Sequence, residues 1–87
     1  MRKKKVRVYA LSTCGWCRKT VGWLKENNIA AEVIYTDVIE DEAEKEKVVA
    51  CAKKYNPLLS FPTVVIDNGE HVIIGFAPEK IREALKK

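Results

Sequence analysis

Two cysteines, Cys14 and Cys17, stand where a predicted strand meets a predicted helix. Before them, residues 6–11 are β-prone and alternate arginine and tyrosine with small apolar side chains, which predicts a strand. After them, apolar residues recur at helical spacing until Asn27, which predicts a helix that begins at the cysteines. This junction constrains the fold, because the strand must end where both thiols enter the first helical turn.

The spacing of the two thiols favours a reversible intramolecular disulfide. Cys14 at or near the N-cap would accept a hydrogen bond from the Cys17 amide, and the helix dipole favours a thiolate, so we expect its pKa to lie below that of a free thiol. Thr13, Gly15 and Arg18 are predicted to tune this thiolate, Arg18 by its positive charge. Cys17, turned inward, would stay protonated. The pattern predicts that Cys14 attacks a disulfide and that Cys17 resolves the mixed disulfide.

A second strand and two more helices are predicted downstream. Residues 31–35 are β-prone, and residues 40–55 form a helix with acids in its first turns and lysines in its last, as the helix dipole prefers. Pro78 is typical of a first helical position and opens the last helix.

A β-hairpin is predicted around Asn68-Gly69, which separates β-prone residues 63–67 from residues 70–74. This dipeptide favours a two-residue type I′ turn, so these two strands are antiparallel. A right-handed crossover makes the first two strands parallel. The sequence therefore predicts one α/β domain over residues 1–87, a four-stranded mixed sheet covered by three helices in the order β-α-β-α-β-β-α.

Composition excludes several classes of function. The net charge is +4, but five of the sixteen basic residues lie between residues 2 and 7, and the other eleven face twelve acids, a balance of −1. This basic arm indicates a solvated edge rather than a nucleic-acid site, and half of the acids, between residues 37 and 46, indicate a solvated face. Three cysteines are too few for a secreted disulfide scaffold, and no apolar run suits a signal peptide or a membrane span. We expect a cytoplasmic monomer.

Four motifs, in order along the chain, resemble those of the glutaredoxin-like proteins in the thioredoxin superfamily. They are the first strand, the Cys14-x-x-Cys17 helix start, Phe61-Pro62-Thr63 before the third strand and Gly75-Phe76 after the fourth. The resemblance covers almost the whole chain. It implies a thioredoxin-like fold and a thiol-disulfide oxidoreductase whose redox centre is the disulfide itself, with no other cofactor.

The resemblance also implies a substrate-binding surface around the dithiol. Its members are Trp16, Phe61, Pro62, Thr63, Gly75 and Phe76. Pro62 is expected to follow a cis peptide bond and to pack beside the disulfide, which leaves the backbone of Phe61 free to pair with an extended substrate. A proline suits this place because it brings no N–H beside a reactive thiol. The alternative is a trans proline that merely begins the strand.

Three positions depart from the family patterns. Val8 lies six residues before Cys14, where thioredoxins place a buried acid, so proton transfer from Cys17 must use water or the substrate. Leu11 stands in place of a lysine that helps glutaredoxins hold glutathione, and Phe76 in place of the second glycine of a Gly-Gly pair. We therefore expect glutathione to bind weakly.

The string Gly75-Phe76-Ala77-Pro78-Glu79 is similar to that of glutaredoxin-like redoxins that serve ribonucleotide reductase and draw electrons from thioredoxin reductase. It implies a disulfide-containing protein substrate, such as ribonucleotide reductase, and a donor of the thioredoxin-reductase type, with glutathione as the alternative. The Gly15-Trp16 pair between the cysteines differs from the dipeptides commonest in these subfamilies.

Metal binding is the rival class of function. Cys14, Cys17, Cys51 and His71 could form a zinc set, although structural zinc sites usually combine two closely spaced motifs and this chain has one. The plainer interpretation of His71 is a solvated polar residue. Cys14 could also bridge an iron-sulfur cluster across a dimer, as in some glutaredoxin relatives. A non-catalytic adaptor is a third class, and the intact dithiol argues against it.

Three further side chains have competing interpretations. Trp16 is either exposed, where it stacks on partners, or folded onto Phe61 or Phe76. Trp23 is predicted to pack its helix. Cys51 lies in an apolar stretch of the second helix and is predicted to be a small buried hydrophobe, with a regulatory or metal-binding role as the alternative.

Overall fold

The computed structural model describes residues 5–86, apart from the side chain of Asn68. The strands are β1 (Val6–Ala10), β2 (Glu32–Tyr35), β3 (Thr63–Ile66) and β4 (His71–Ile74). The helices are α1 (Gly15–Glu26), α2 (Glu42–Tyr55) and α3 (Pro78–Lys86). The predicted fold class and element order are confirmed, with ends displaced by one or two residues. Of the five residues of the predicted basic arm, the structure describes Lys5, which is exposed, and Arg7, which is half-buried in β1 and forms an ion pair with Glu32 at 3.3 Å. The other three lie outside the described residues. No helix in the described part of the chain has the length and apolar character needed to cross a membrane.

The sheet has the strand order β2-β1-β3-β4. β1 pairs with β2 in parallel and with β3 in antiparallel register, and β3 pairs with β4 in antiparallel register. Tyr9 lies opposite Thr63, and Thr63 lies opposite Ile74. The residues that follow β1, precede β3 and follow β4 therefore meet at one edge of the sheet, which is where the predicted site residues lie.

Each face of the sheet packs against different helices. On one face, Val8 of β1 is fully buried in a cluster with Leu24 of α1 and Ile81 of α3. On the other face, Tyr9 packs with Ala52 of α2. Val8 therefore fills the place of the acid that thioredoxins bury, and its burial in an apolar cluster suits a valine.

The connection between β3 and β4 differs from the predicted hairpin. Ile66 pairs with His71, so four residues connect the strands instead of two. Asp67 (φ 52°) and Gly69 (φ 110°) take positive φ within a short 3-10 helix, so the predicted type I′ turn is wrong. The physical reason lies far away in the sequence. The amide of Asp67 donates to the Lys5 carbonyl at 2.8 Å, and its carboxylate accepts from the Lys5 amide at 3.0 Å. These bonds hold Asp67 against the residue that precedes β1.

Candidate active site

Cys14 caps the N-terminus of α1. Its backbone is extended (φ −87°, ψ 120°), the helix begins at Gly15, and its Sγ accepts a hydrogen bond from the Cys17 amide at 3.3 Å. The Cys14 amide donates to the Leu11 carbonyl at 3.2 Å, which closes the turn between β1 and the helix. The predicted cap is confirmed. The sulfur thus lies at the positive end of the helix dipole, where a thiolate is stabilised.

The two thiols have opposite tendencies to ionise. The hydrogen bond between the Cys17 side chain and Cys14 lowers the pKa of Cys14, and the amides of Cys17 and Trp16 lower it further. Burial, followed by the hydrogen bond to Cys14, raises the pKa of Cys17 to about 11. Cys17 is fully buried, whereas Cys14 is half-buried. One thiol is therefore accessible and prone to ionise, and the other is enclosed and protonated.

Asp37 is a site residue that the sequence analysis placed only in a solvated face. Its carboxylate accepts from the Ser12 amide at 2.9 Å and from the Ser12 hydroxyl at 2.5 Å, and both bonds lower the pKa of Asp37. Arg18 Nη2 donates to the Ser12 carbonyl at 3.3 Å. The loop before Cys14 is thus held from α1 and from the end of β2. The signal that could have found Asp37 is the parallel pairing of β1 and β2, whose C-terminal ends share one edge.

Trp16 and Phe76 form an aromatic pair beside the dithiol. Their ring centroids lie 6.1 Å apart with an interplanar angle of 29°. Lys19 Nζ lies 4.5 Å from the Trp16 ring centroid, within cation–π distance. Trp16 is nevertheless 58% exposed. Both interpretations of Trp16 therefore hold in part, because the ring lies against Phe76 and still presents a large apolar surface to solvent.

The Phe61–Pro62 peptide bond is cis, which confirms what the family resemblance implies. Pro62 and Thr63 are buried, and Phe61 is half-buried. The Gly75 amide donates to the Pro62 carbonyl at 2.9 Å, so the segment after β4 is tied to the segment before β3. Thr13 and Gly15, the other predicted tuning residues, are exposed on either side of Cys14.

Asn56, which directly follows the predicted helix over residues 40–55, is the second site residue that the sequence did not reveal. Its side chain is buried and its amide donates to Ser60 and to the Thr63 hydroxyl. The buried amide therefore anchors the segment that carries Phe61 and Pro62.

The outlying predicted residues have mixed outcomes. Cys51 is exposed, so its prediction as a buried hydrophobe is wrong. The buried face of α2 carries Ala52, and the adjacent residue lies about 100° around the helix. Trp23 packs against the core as predicted, with the Arg82 guanidinium carbon 5.6 Å from its ring centroid. His71 is half-buried. Within residues 5–86, no three His, Cys, Asp or Glu side chains are grouped so that they could hold a metal ion.

Comparisons with known proteins agree with this geometry. The glutaredoxin family model matches residues 6–72, which run from β1 into β4. The chain belongs to the glutaredoxin family. This glutaredoxin is similar to the glutaredoxin of Methanosarcina mazei, with 40% identity, a TM-score of 0.86, and coverage of 95% of this chain and 79% of that chain. It is also similar to the methanoredoxin of Methanosarcina acetivorans, with 38% identity, a TM-score of 0.87, and coverage of 95% and 85%.

A curated relative has a similar length. An uncharacterised glutaredoxin-like 8.6 kDa protein in the rubredoxin operon of Clostridium pasteurianum is 29% identical over 82 residues, which cover 94% of this chain and 99% of that protein. Family and fold together support activity as a thiol oxidoreductase.

Proposed function

We propose that this glutaredoxin reduces protein disulfides through Cys14 and Cys17. The observation that carries the proposal is the placement of the two thiols at one helix N-terminus, where half-buried Cys14 caps the helix through the Cys17 amide and Cys17 is fully buried behind it. The Cys14 thiolate attacks one sulfur of the substrate disulfide, which forms a mixed disulfide and releases a substrate thiolate. Cys17 then loses its proton and attacks the Cys14 sulfur. This step forms the Cys14–Cys17 disulfide and releases the second substrate sulfur as a thiolate, so two electrons pass to the substrate.

The proton of Cys17 needs an acceptor at the second step. Burial raises the pKa of this thiol to about 11, so Cys17 is protonated at neutral pH. Val8, at the position where thioredoxins bury an acid, is apolar and cannot accept the proton. The substrate thiolate released in the first step is a base close to the mixed disulfide. We infer that it takes the proton, directly or through water.

The proposed docking surface is the aromatic pair Trp16 and Phe76 together with the backbone of Phe61. Exposed aromatic rings provide much of the binding energy in many protein interfaces. The substrate is proposed to be a protein disulfide such as that of ribonucleotide reductase, and the reaction is placed in the cytoplasm, where reductase systems keep such dithiols reduced.

The proposed electron donor is a reductase of the thioredoxin-reductase type. Apolar Leu11 and Phe76 stand where other glutaredoxins carry glutathione-binding residues, and half-buried Leu11 offers no charge to a glutathione carboxylate. Turnover should therefore respond to a thioredoxin reductase and only weakly to glutathione with glutathione reductase. Efficient turnover with glutathione and no response to any thioredoxin reductase would contradict this choice of donor.

Trapping of the mixed disulfide tests the proposed roles of the thiols. Cys17→Ser should accumulate as a mixed disulfide with a protein substrate, since the nucleophile remains and the resolving thiol is gone. Cys14→Ser should neither trap the substrate nor reduce it. Both variants are made in a Cys51→Ser background, which removes the exposed third thiol. Equal trapping by both variants would refute the assignment.

A further inference from the structure

The buried amide of Asn56 connects the end of α2 to the segment that precedes β3. Asn56 is 1% exposed, and its Nδ2 lies 2.9 Å from the Ser60 carbonyl oxygen and 3.0 Å from the Thr63 hydroxyl. Its Oδ1 accepts from the Leu58 amide at 3.3 Å. The Thr63 hydroxyl also donates to the Ser60 carbonyl, at 2.8 Å. Two buried donors therefore hold one carbonyl oxygen, which fixes the orientation of the Ser60–Phe61 peptide plane.

The orientation of this peptide plane determines where the Phe61 amide points. In a planar trans peptide the C=O and N–H bonds point in opposite directions. Because the Ser60 carbonyl is directed at the buried Asn56 amide, the Phe61 N–H is directed away from it. No residue between 5 and 86 forms a hydrogen bond with the Phe61 N–H or C=O, although the Pro62 carbonyl that follows is bonded to Gly75. A half-buried main-chain donor without an internal partner needs one from outside the protein.

We propose that Asn56 is a positioning residue that presents the Phe61 N–H to the main chain of a peptide disulfide. This inference rests on the proposed reduction of protein disulfides. The register of β1 and β3 places Phe61 at the sheet edge where Cys14 lies, so an extended peptide held there would bring its disulfide to the nucleophile. Small disulfides without a peptide backbone would gain nothing from the bond. Asn56 therefore selects for peptide substrates without touching them.

Single-turnover kinetics with two substrates test this inference. Reduced wild-type protein and Asn56→Leu are mixed with a disulfide-linked peptide and, separately, with bis(2-hydroxyethyl) disulfide, which has no peptide group. For the peptide, Asn56→Leu should weaken apparent binding by about fivefold to tenfold, the effect of losing one hydrogen bond. The rate with the small disulfide should stay within about twofold, the margin that a lost hydrogen bond exceeds. The pKa of Cys14 should not change, because its cap lies on α1.

A matched control separates positioning from stability. Ile66→Ala creates a cavity at the far end of β3 and should lower stability without changing the ratio of the two substrates. Thr63→Val removes the Thr63 donor to the Ser60 carbonyl but leaves Asn56 bonded to Ser60 and to the Leu58 amide, so it should give a smaller effect of the same kind. Equal loss with both substrates, or loss with neither, would overturn the role of Asn56 alone. A wild-type protein that reduces the small disulfide but not the peptide would overturn the proposed function as well.

Amide exchange provides a second measurement that does not need Asn56→Leu to fold. In Cys17→Ser trapped with a cysteine peptide, hydrogen exchange at the Phe61 amide should be slower than in the free protein. Exchange at the Asp67 amide, which is bonded at the opposite edge, serves as the control. An unchanged exchange rate at Phe61 would overturn the inference.

Discussion

The reduction potential of the Cys14–Cys17 disulfide should change slope with pH at the pKa values of the two thiols. Where both thiols of the reduced protein are protonated, two electrons enter with two protons, and the potential falls by about 59 mV per pH unit. Above the pKa of Cys14 only Cys17 takes a proton, and the slope should fall to about 30 mV per pH unit. Because the pKa of Cys17 is about 11, this one-proton slope should persist to about that pH.

The reduction potential falls with rising pH because the reduced thiols bind protons, whereas the disulfide binds no proton at either sulfur. Hydrogen bonds from Cys17 stabilise the Cys14 thiolate, so the first change of slope should lie below the pKa of a free thiol. The assay is redox equilibration in dithiothreitol buffers across the pH range, in the Cys51→Ser background. Alkylation of the free thiols then gives the oxidised fraction at each pH.

Two results would refute the reasoning. A two-proton slope that continues through the pKa of a free thiol would show that Cys14 is not stabilised as a thiolate. A slope that reaches zero well below pH 11 would show that Cys17 ionises early. Thiolate titration of Cys17→Ala and Cys17→Ser gives an independent control. The pKa of Cys14 should rise further in the alanine variant, because serine retains a side-chain donor and alanine does not.

Three other outcomes are expected. Gly69→Ala should lower the free energy of unfolding in urea by about 1–3 kcal/mol without changing redox activity, since its new Cβ at positive φ would lie 2.6 Å from Tyr55 Cε1; an unfolding midpoint equal to that of the wild type would contradict this. Asp37→Asn should move the second change of slope to lower pH, because the charge of Asp37 raises the pKa of Cys17; a change of slope that stays at the same pH or moves to higher pH would contradict this. Protein purified without oxygen should be colourless if the dithiol acts alone, whereas visible absorbance that is lost with Cys14→Ser would support the iron-sulfur alternative.

The order of elements and the dithiol could be predicted because their signals are local. Alternation over one strand and apolar spacing over one helix are contained within a few residues, and so is the cap at Cys14. The predicted type I′ turn was wrong because the shape of the connection depends on hydrogen bonds between Asp67 and Lys5, which is far away in the sequence. The predicted burial of Cys51 was wrong because an apolar stretch in a helix has only one buried face. Packing on the sheet decides which residues lie on that face.

Asp37 and Asn56 escaped prediction for a different reason. Each acts on a main-chain group, Asp37 on the Ser12 amide and Asn56 on the Ser60 carbonyl. A main-chain N–H or C=O is present at almost every residue, so the sequence does not mark which of them a distant side chain will hold. The identity of an aspartate or an asparagine likewise fits an exposed turn as well as a buried anchor. Only the topology, which brings the ends of β1 and β2 and the start of β3 to one edge, shows which aspartate or asparagine holds a main-chain group of the site.

The same argument explains why the site tolerates an unusual dipeptide between its cysteines. The Cys14 sulfur is stabilised by the Cys17 side chain and by backbone amides, and a Cβ at Gly15 would meet no atom within 4 Å. The side chain of Trp16 lies outward against Phe76 and takes no part in the cap. Ionisation of the thiols therefore depends on the helix start that the fold imposes, while the dipeptide contributes to the proposed docking surface. Substrate choice and thiol chemistry can vary independently in such a site, because separate atoms control them.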